Sequence, residues 1–115
     1  MDPASIYSMT LSQLDATELT MTSLEGNALM QNASPADHKK AVQMLIAVHE
    51  ARLALGNANL QSIVKQLQEN EAALTAGIKA VQDAIRKLDD LTKVLSGVNT
   101  LLTVVGKIVP MMSGI

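Results

Sequence analysis

Residues 60–109 read LQSIVKQLQENEAALTAGIKAVQDAIRKLDDLTKVLSGVNTLLTVVGKIV, and an apolar side chain returns at every seventh position. Leu60, Leu67, Leu74, Val81, Leu88, Leu95, Leu102 and Val109 form the series without a gap. Seven residues are close to two α-helical turns, so this spacing stacks the side chains into one seam. Ile78 and Ile85 fall at the neighbouring seam position and widen it. A strand turns over every second residue and cannot keep such a register. The pattern predicts a coiled-coil-like helix over about 58–109. Its seam needs a second helix, from the same molecule or a neighbour, to cover it.

Two further features lie in the same stretch. Ala73, Gly77, Ala80 and Ala84 recur at steps of four, three and four, which puts small side chains on one face. Such a stripe lets another backbone approach closely. That approach would offset the ~1 kcal/mol that a glycine costs in a helix interior. Residues 94–112 then carry a single charge, Lys107. Val98, Leu101, Leu102, Val105, Ile108 and Val109 share a broad apolar face, while Asn99, Lys107 and Pro110 make the segment a poor membrane span. A buried core helix, an oligomer interface and a membrane-surface or pore-forming helix all fit this face.

Upstream, Gly56-Asn57-Ala58-Asn59 has the composition of a turn. Ile46 and Leu53 nevertheless lie seven and fourteen residues before Leu60, in phase with the seam. An unbroken helix from Pro35 to Val109 would be about 110 Å long. Both a hairpin and a continuous rod therefore stay open. Ser34, Pro35 and Asp37 form a helix start, with a capping hydroxyl, a proline at the first position and an acid in the first turn. The helix they open is expected over 35–55. Val42, Leu45, Ile46, His49 and Leu53 share one face, and Met44, Val48 and Leu55 widen the apolar surface enough to meet more than one neighbour. A first helix is expected over about 10–31, with Thr10 as its cap and Leu11, Leu14, Met21, Leu24 and Ala28 as its apolar face. Residues 1–9 have no period and read as a flexible arm. The fold expected is all-α, within one domain over 10–115. It is an elongated helical hairpin or a three-helix bundle with one long C-terminal helix.

Composition bounds the chemistry. A formal charge of −2 leaves no basic footprint for nucleic acid, and the lone aromatic, Tyr7, gives no stacking platform. With no cysteine, disulfides and thiol chemistry are excluded. The first residues lack a basic region followed by an apolar run, which fits a cytoplasmic protein or one exported by a leaderless route. His38 and His49 are three turns apart on one helix, ~16 Å, too far to share a metal. Glu69, Glu71, Asp83, Asp89 and Asp90 are interleaved with Lys65, Arg86, Lys87 and Lys93, as on a solvated face.

No catalytic, cofactor-binding or metal-ligating set emerges, so no enzyme and no cofactor is expected. The expected function is interaction or assembly through the seam, with a homo-oligomer or a helical protein as partner. A membrane or lipid surface, engaged by 94–112, is the alternative. Abundant Ser, Thr, Asn, Gln and Ala with scarce aromatics resembles, in composition, exported helical subunits such as needle and filament proteins.

Overall fold

A computed structural model describes residues 2–109. Among them the secondary structure is entirely helical. The helices are α1 (Pro3–Met21), α2 (Leu24–Gln31), α3 (Pro35–Gly56), α4 (Leu60–Glu69), α5 (Glu71–Lys87) and α6 (Leu91–Ile108).

Short polar residues set most of the boundaries. Asp2 accepts a hydrogen bond from the Ser5 amide at 2.8 Å, and Pro3 follows at the first helical position. Residues 3–9, expected as an arm, are therefore the opening turns of α1. Thr10, expected as the cap, lies inside α1, and its hydroxyl donates to the Ile6 carbonyl. Ser23 caps α2 by accepting from the Gly26 amide at 3.1 Å, which splits the helix expected over 10–31. Ser34 caps α3 through the Asp37 amide, and Asn59 caps α4 through the Gln61 amide. Residues 57–59 are a turn between α3 and α4, so the continuous rod is ruled out.

The helix expected over 58–109 is three helices. Asn70 breaks it first, with its side-chain amide donating to the Gln66 carbonyl. Asparagine competes for backbone groups in this way and is poorly suited to a helix interior. The second break runs from Leu88 to Asp90. Leu88 adopts the left-handed conformation (φ 48°, ψ 37°), uncommon for a residue other than Gly or Asn. Its half-buried side chain packs against the core. Asp90 then caps α6 by accepting from the Thr92 amide at 3.0 Å. Asp90 is thus a cap and not the helical neighbour of Arg86 that an unbroken helix would require.

Four long helices pack in a ring: α1 on α3, α3 on α6, α6 on α5, and α5 back on α1. The short α4 bridges α1, α5 and α6. Inside the ring lie Ile6 and Leu14 of α1, Val48, Ala51 and Leu55 of α3, Leu74 and Val81 of α5, and Val94, Val98, Leu101 and Val105 of α6. α1 also buries Thr10, Gln13 and Thr17. These are satisfied within the helix, since Gln13 donates to the Thr17 hydroxyl and Thr17 donates to the Gln13 carbonyl. The hydroxyl of Tyr7 donates to the Leu55 carbonyl at 2.8 Å and ties the start of α1 to the end of α3.

Leu24 and Ala28, expected on the apolar face of a single first helix, are exposed. The break at Thr22–Ser23 resets the helical phase and turns them outward.

Candidate interaction surface

Among the described residues the large apolar side chains left exposed are Leu19 of α1, Leu24 of α2, and Val42, Ile46 and Leu53, which share one helix, α3. Its inward side is Ala41, Ala47, Val48, Ala51 and Leu55, all buried. Its other side carries Val42, Ile46, His49 and Leu53 at steps of four, three and four, so they form one ridge. Val42 is 39% exposed, Ile46 53% and Leu53 46%. A surface helix ordinarily shows charged and polar residues opposite the core. α3 shows branched aliphatic side chains on both sides. The width foreseen for more than one neighbour is met by α1 and α6 on the inward side, and the outer side carries apolar residues beyond what those two helices cover.

A polar cluster flanks the ridge. His49 Nδ1 is 2.8 Å from Glu18 Oε1, and Arg52 Nη2 is 3.3 Å from Glu18 Oε2. Arg52 Nη2 also lies 3.3 Å from His49 Nδ1. Nδ1 cannot donate to the carboxylate and accept from the guanidinium at once, so the shorter contact sets its role as donor to Glu18. Partial burial pushes the Glu18 carboxyl up. The His49 hydrogen bond and the Arg52 charge outweigh that and hold it below its ordinary value. The cluster clamps α1 to α3. A shallow hollow of about 260 Å³ opens beside it, lined by Glu18, Thr22, Leu45, Ile46 and His49.

The seam residues are mostly interior. Leu67, Leu74, Ile78, Val81, Leu102 and Val109 are buried, while Leu60, Ile85, Leu88 and Leu95 are half-buried. The helices that cover them belong to the same chain.

The small-residue stripe is divided. A Cβ on Gly77 would sit 3.3 Å from the Leu101 Cα, so the backbone of α6 approaches there. Ala73 and Ala80 are exposed and Ala84 is half-buried. Gly97 is the reciprocal of Gly77, since a Cβ there would lie 3.4 Å from the Ala80 carbonyl. Gly97 stands outside the stripe in sequence, and only the antiparallel return of α6 brings it to α5.

The face considered for membranes turns inward: Val98, Leu101, Leu102, Val105, Ile108 and Val109 are all buried. Among the described residues no helix is long and apolar enough to cross a membrane. Residues 110–112 of that segment lie outside the described residues.

His38 is half-buried, with Nδ1 3.0 Å from the Met30 carbonyl, and so joins α3 to α2. Arg86 pairs with Asp83 at 3.0 Å and Lys65 with Glu69 at 3.9 Å. Among the described residues no three His, Asp or Glu side chains gather closely enough to hold a metal ion.

The chain matches no family model, no curated protein and no solved structure.

Proposed function

We propose that this chain is a non-enzymatic helical interaction module that self-associates along the outer ridge of α3. The bare row Val42, Ile46, His49 and Leu53, set opposite the buried side of the same helix, is the observation that carries the proposal. The row suits a two-fold pair. With two α3 helices antiparallel about an axis between Ile46 and His49, Val42 of one copy meets Leu53 of the other, and Ile46 meets His49. Each residue's partner then has its own counterpart, as a closed dimer requires. The heptad seam, mostly committed to the chain's own core, is not the docking face in this proposal.

The association should be weak. Half-exposed Val, Ile and Leu side chains each recover roughly 1 kcal/mol on full burial. The mass must therefore be measured at high protein concentration.

Sedimentation equilibrium over a wide concentration range tests the idea. The unmodified chain is expected to shift towards dimer mass as concentration rises. The Ile46→Glu/Leu53→Glu double variant should stay monomeric with unchanged helix content. A chain that is monomeric throughout, or a variant that associates as the parent does, overturns the proposal.

A further inference from the structure

A second feature lies on a different side of α3. Where α3 faces α6 the two helices leave an open groove of about 590 Å³. Its floor is apolar, with Ala47 and Leu102 buried and Met44 and Leu95 half-buried, and the exposed Gln43, Asn99 and Thr103 add polar groups to the lining. The volume lies within the ~300–1,000 Å³ of small-molecule sites. The lining runs along α6 from Leu95 to Lys107. Twelve helical rises make this about 18 Å on the α6 side, against about 10 Å from Lys40 to Ala47 on the α3 side.

The charge on this lining has one sign. Lys40 enters from α3 and Lys107 from α6, and no Asp or Glu lines the groove. Lys65, Arg86 and Arg52 each have a carboxylate within 4.0 Å. Lys40 and Lys107 have none among the described residues, like Lys39, Lys79, Lys87 and Lys93, and what sets them apart is that both line one apolar groove. An apolar body would cover the floor, and an anionic head group would be attracted by two exposed ammonium groups with no carboxylate on the lining. A flat aromatic ligand fits a trough of this length less well than a flexible chain does.

We propose that the groove between α3 and α6 binds a single-chain fatty acid, with the alkyl chain along Ala47 and Leu102 and the carboxylate at Lys40 or Lys107. Met44, unbranched and adaptable, suits a wall that must accommodate a chain of variable shape. The site is independent of self-association, because the ridge of Ile46 and Leu53 lies on the opposite side of α3.

Calorimetric titration with dodecanoate, kept below its micelle concentration, tests this directly. Dodecyltrimethylammonium supplies the same tail with the opposite charge. Dodecanoate is expected to bind saturably at one per chain and at least ~10-fold more tightly than the cationic amphiphile, a tenfold ratio being ~1.4 kcal/mol. The Lys40→Met/Lys107→Met double variant keeps both apolar stems and removes both charges, and its melting curve checks the fold. It should lose the preference for the anion.

Equal affinity for the two head groups overturns the proposal, because the lysines would then merely shield the floor with their stems. So does undiminished dodecanoate binding by the double variant, or uptake that never saturates and unfolds the chain. The Ile46→Glu/Leu53→Glu variant should bind dodecanoate as the parent does, which separates failure of this site from failure of the α3 ridge.

Discussion

Glycine does two different jobs in this chain. Gly26 sits in the first turns of α2, folded back on the end of α1. A Cβ there would lie 2.2 Å from the Thr20 carbonyl oxygen and 2.9 Å from the Met21 Cα. Both are backbone atoms, and neither can rotate away. Alanine would gain up to ~1 kcal/mol of helix propensity. Against that stands an overpacking cost of roughly 1–3 kcal/mol, at its upper end where backbone must move. Gly26→Ala is therefore expected to destabilise by about 2 kcal/mol, read as a lower urea midpoint at unchanged slope. At Gly77 the nearest contact is 3.3 Å. A few tenths of an ångström of movement by α6 would relieve it, so the two terms nearly cancel. Gly77→Ala should change stability by less than ~1 kcal/mol. Equal losses at the two sites would mean that α5 and α6 are locked as rigidly as the α1–α2 corner.

At the scale of helices, the Glu18 clamp is the one charged link between α1 and α3 with a titration to follow. The folded chain holds this carboxyl below its ordinary value of 4.5. A depressed carboxylate adds stability above its unfolded value and loses it as pH falls through its folded value. Glu18→Gln should therefore cost about 1 kcal/mol near neutral pH, the upper range for a partly exposed pair. The gap between variant and parent should close well below pH 4.5. Urea unfolding at the two extremes measures it. A gap independent of pH would place the loss in packing instead of charge.

The helices also show what the sequence could and could not express. Ser34–Pro35 and Gly56–Asn59 were legible because their caps and turn residues act locally. Asp2–Pro3 carries the same signature as Ser34–Pro35, but residues 1–9 show no apolar period, so the start of α1 reads as an arm. The breaks at Asn70 and Leu88–Asp90 were hidden by the heptad itself. A seven-residue spacing of buried positions survives a kink and even an antiparallel reversal, provided both helices face one core. Periodicity reports which side is buried and not whether the helix is continuous. On α3 the apolar width was plain, yet the face built from Val42, Ile46 and Leu53 proved to be the outer one. The smaller Ala41, Ala47 and Ala51 took the inner side, where α1 and α6 pack close.

Over the whole molecule, the principal extents are 42 × 26 × 18 Å and the radius of gyration is 13.8 Å. A compact chain of this length has a radius near 13 Å, and the thinnest dimension holds about two helices of ~10 Å each. The ring has no spare member. α6 supplies Val94, Val98, Leu101, Leu102, Val105 and Ile108 to the interior and packs on both α3 and α5. Losing those side chains would strip the facing sides of α3 and α5 of their partner. At roughly 1.5–3 kcal/mol per fully buried aliphatic side chain, the loss is about 9–18 kcal/mol, as large as the whole 5–15 kcal/mol net stability of a small domain. A fragment ending at Lys93 should therefore lose its cooperative urea transition and show an expanded radius by small-angle scattering. If α6 instead serves as a detachable lipid-binding element, the fragment would keep its transition and lose only binding to phosphatidylglycerol vesicles. The two outcomes are exclusive, because a helix that can be removed without unfolding the rest cannot also be one of the four walls of its core.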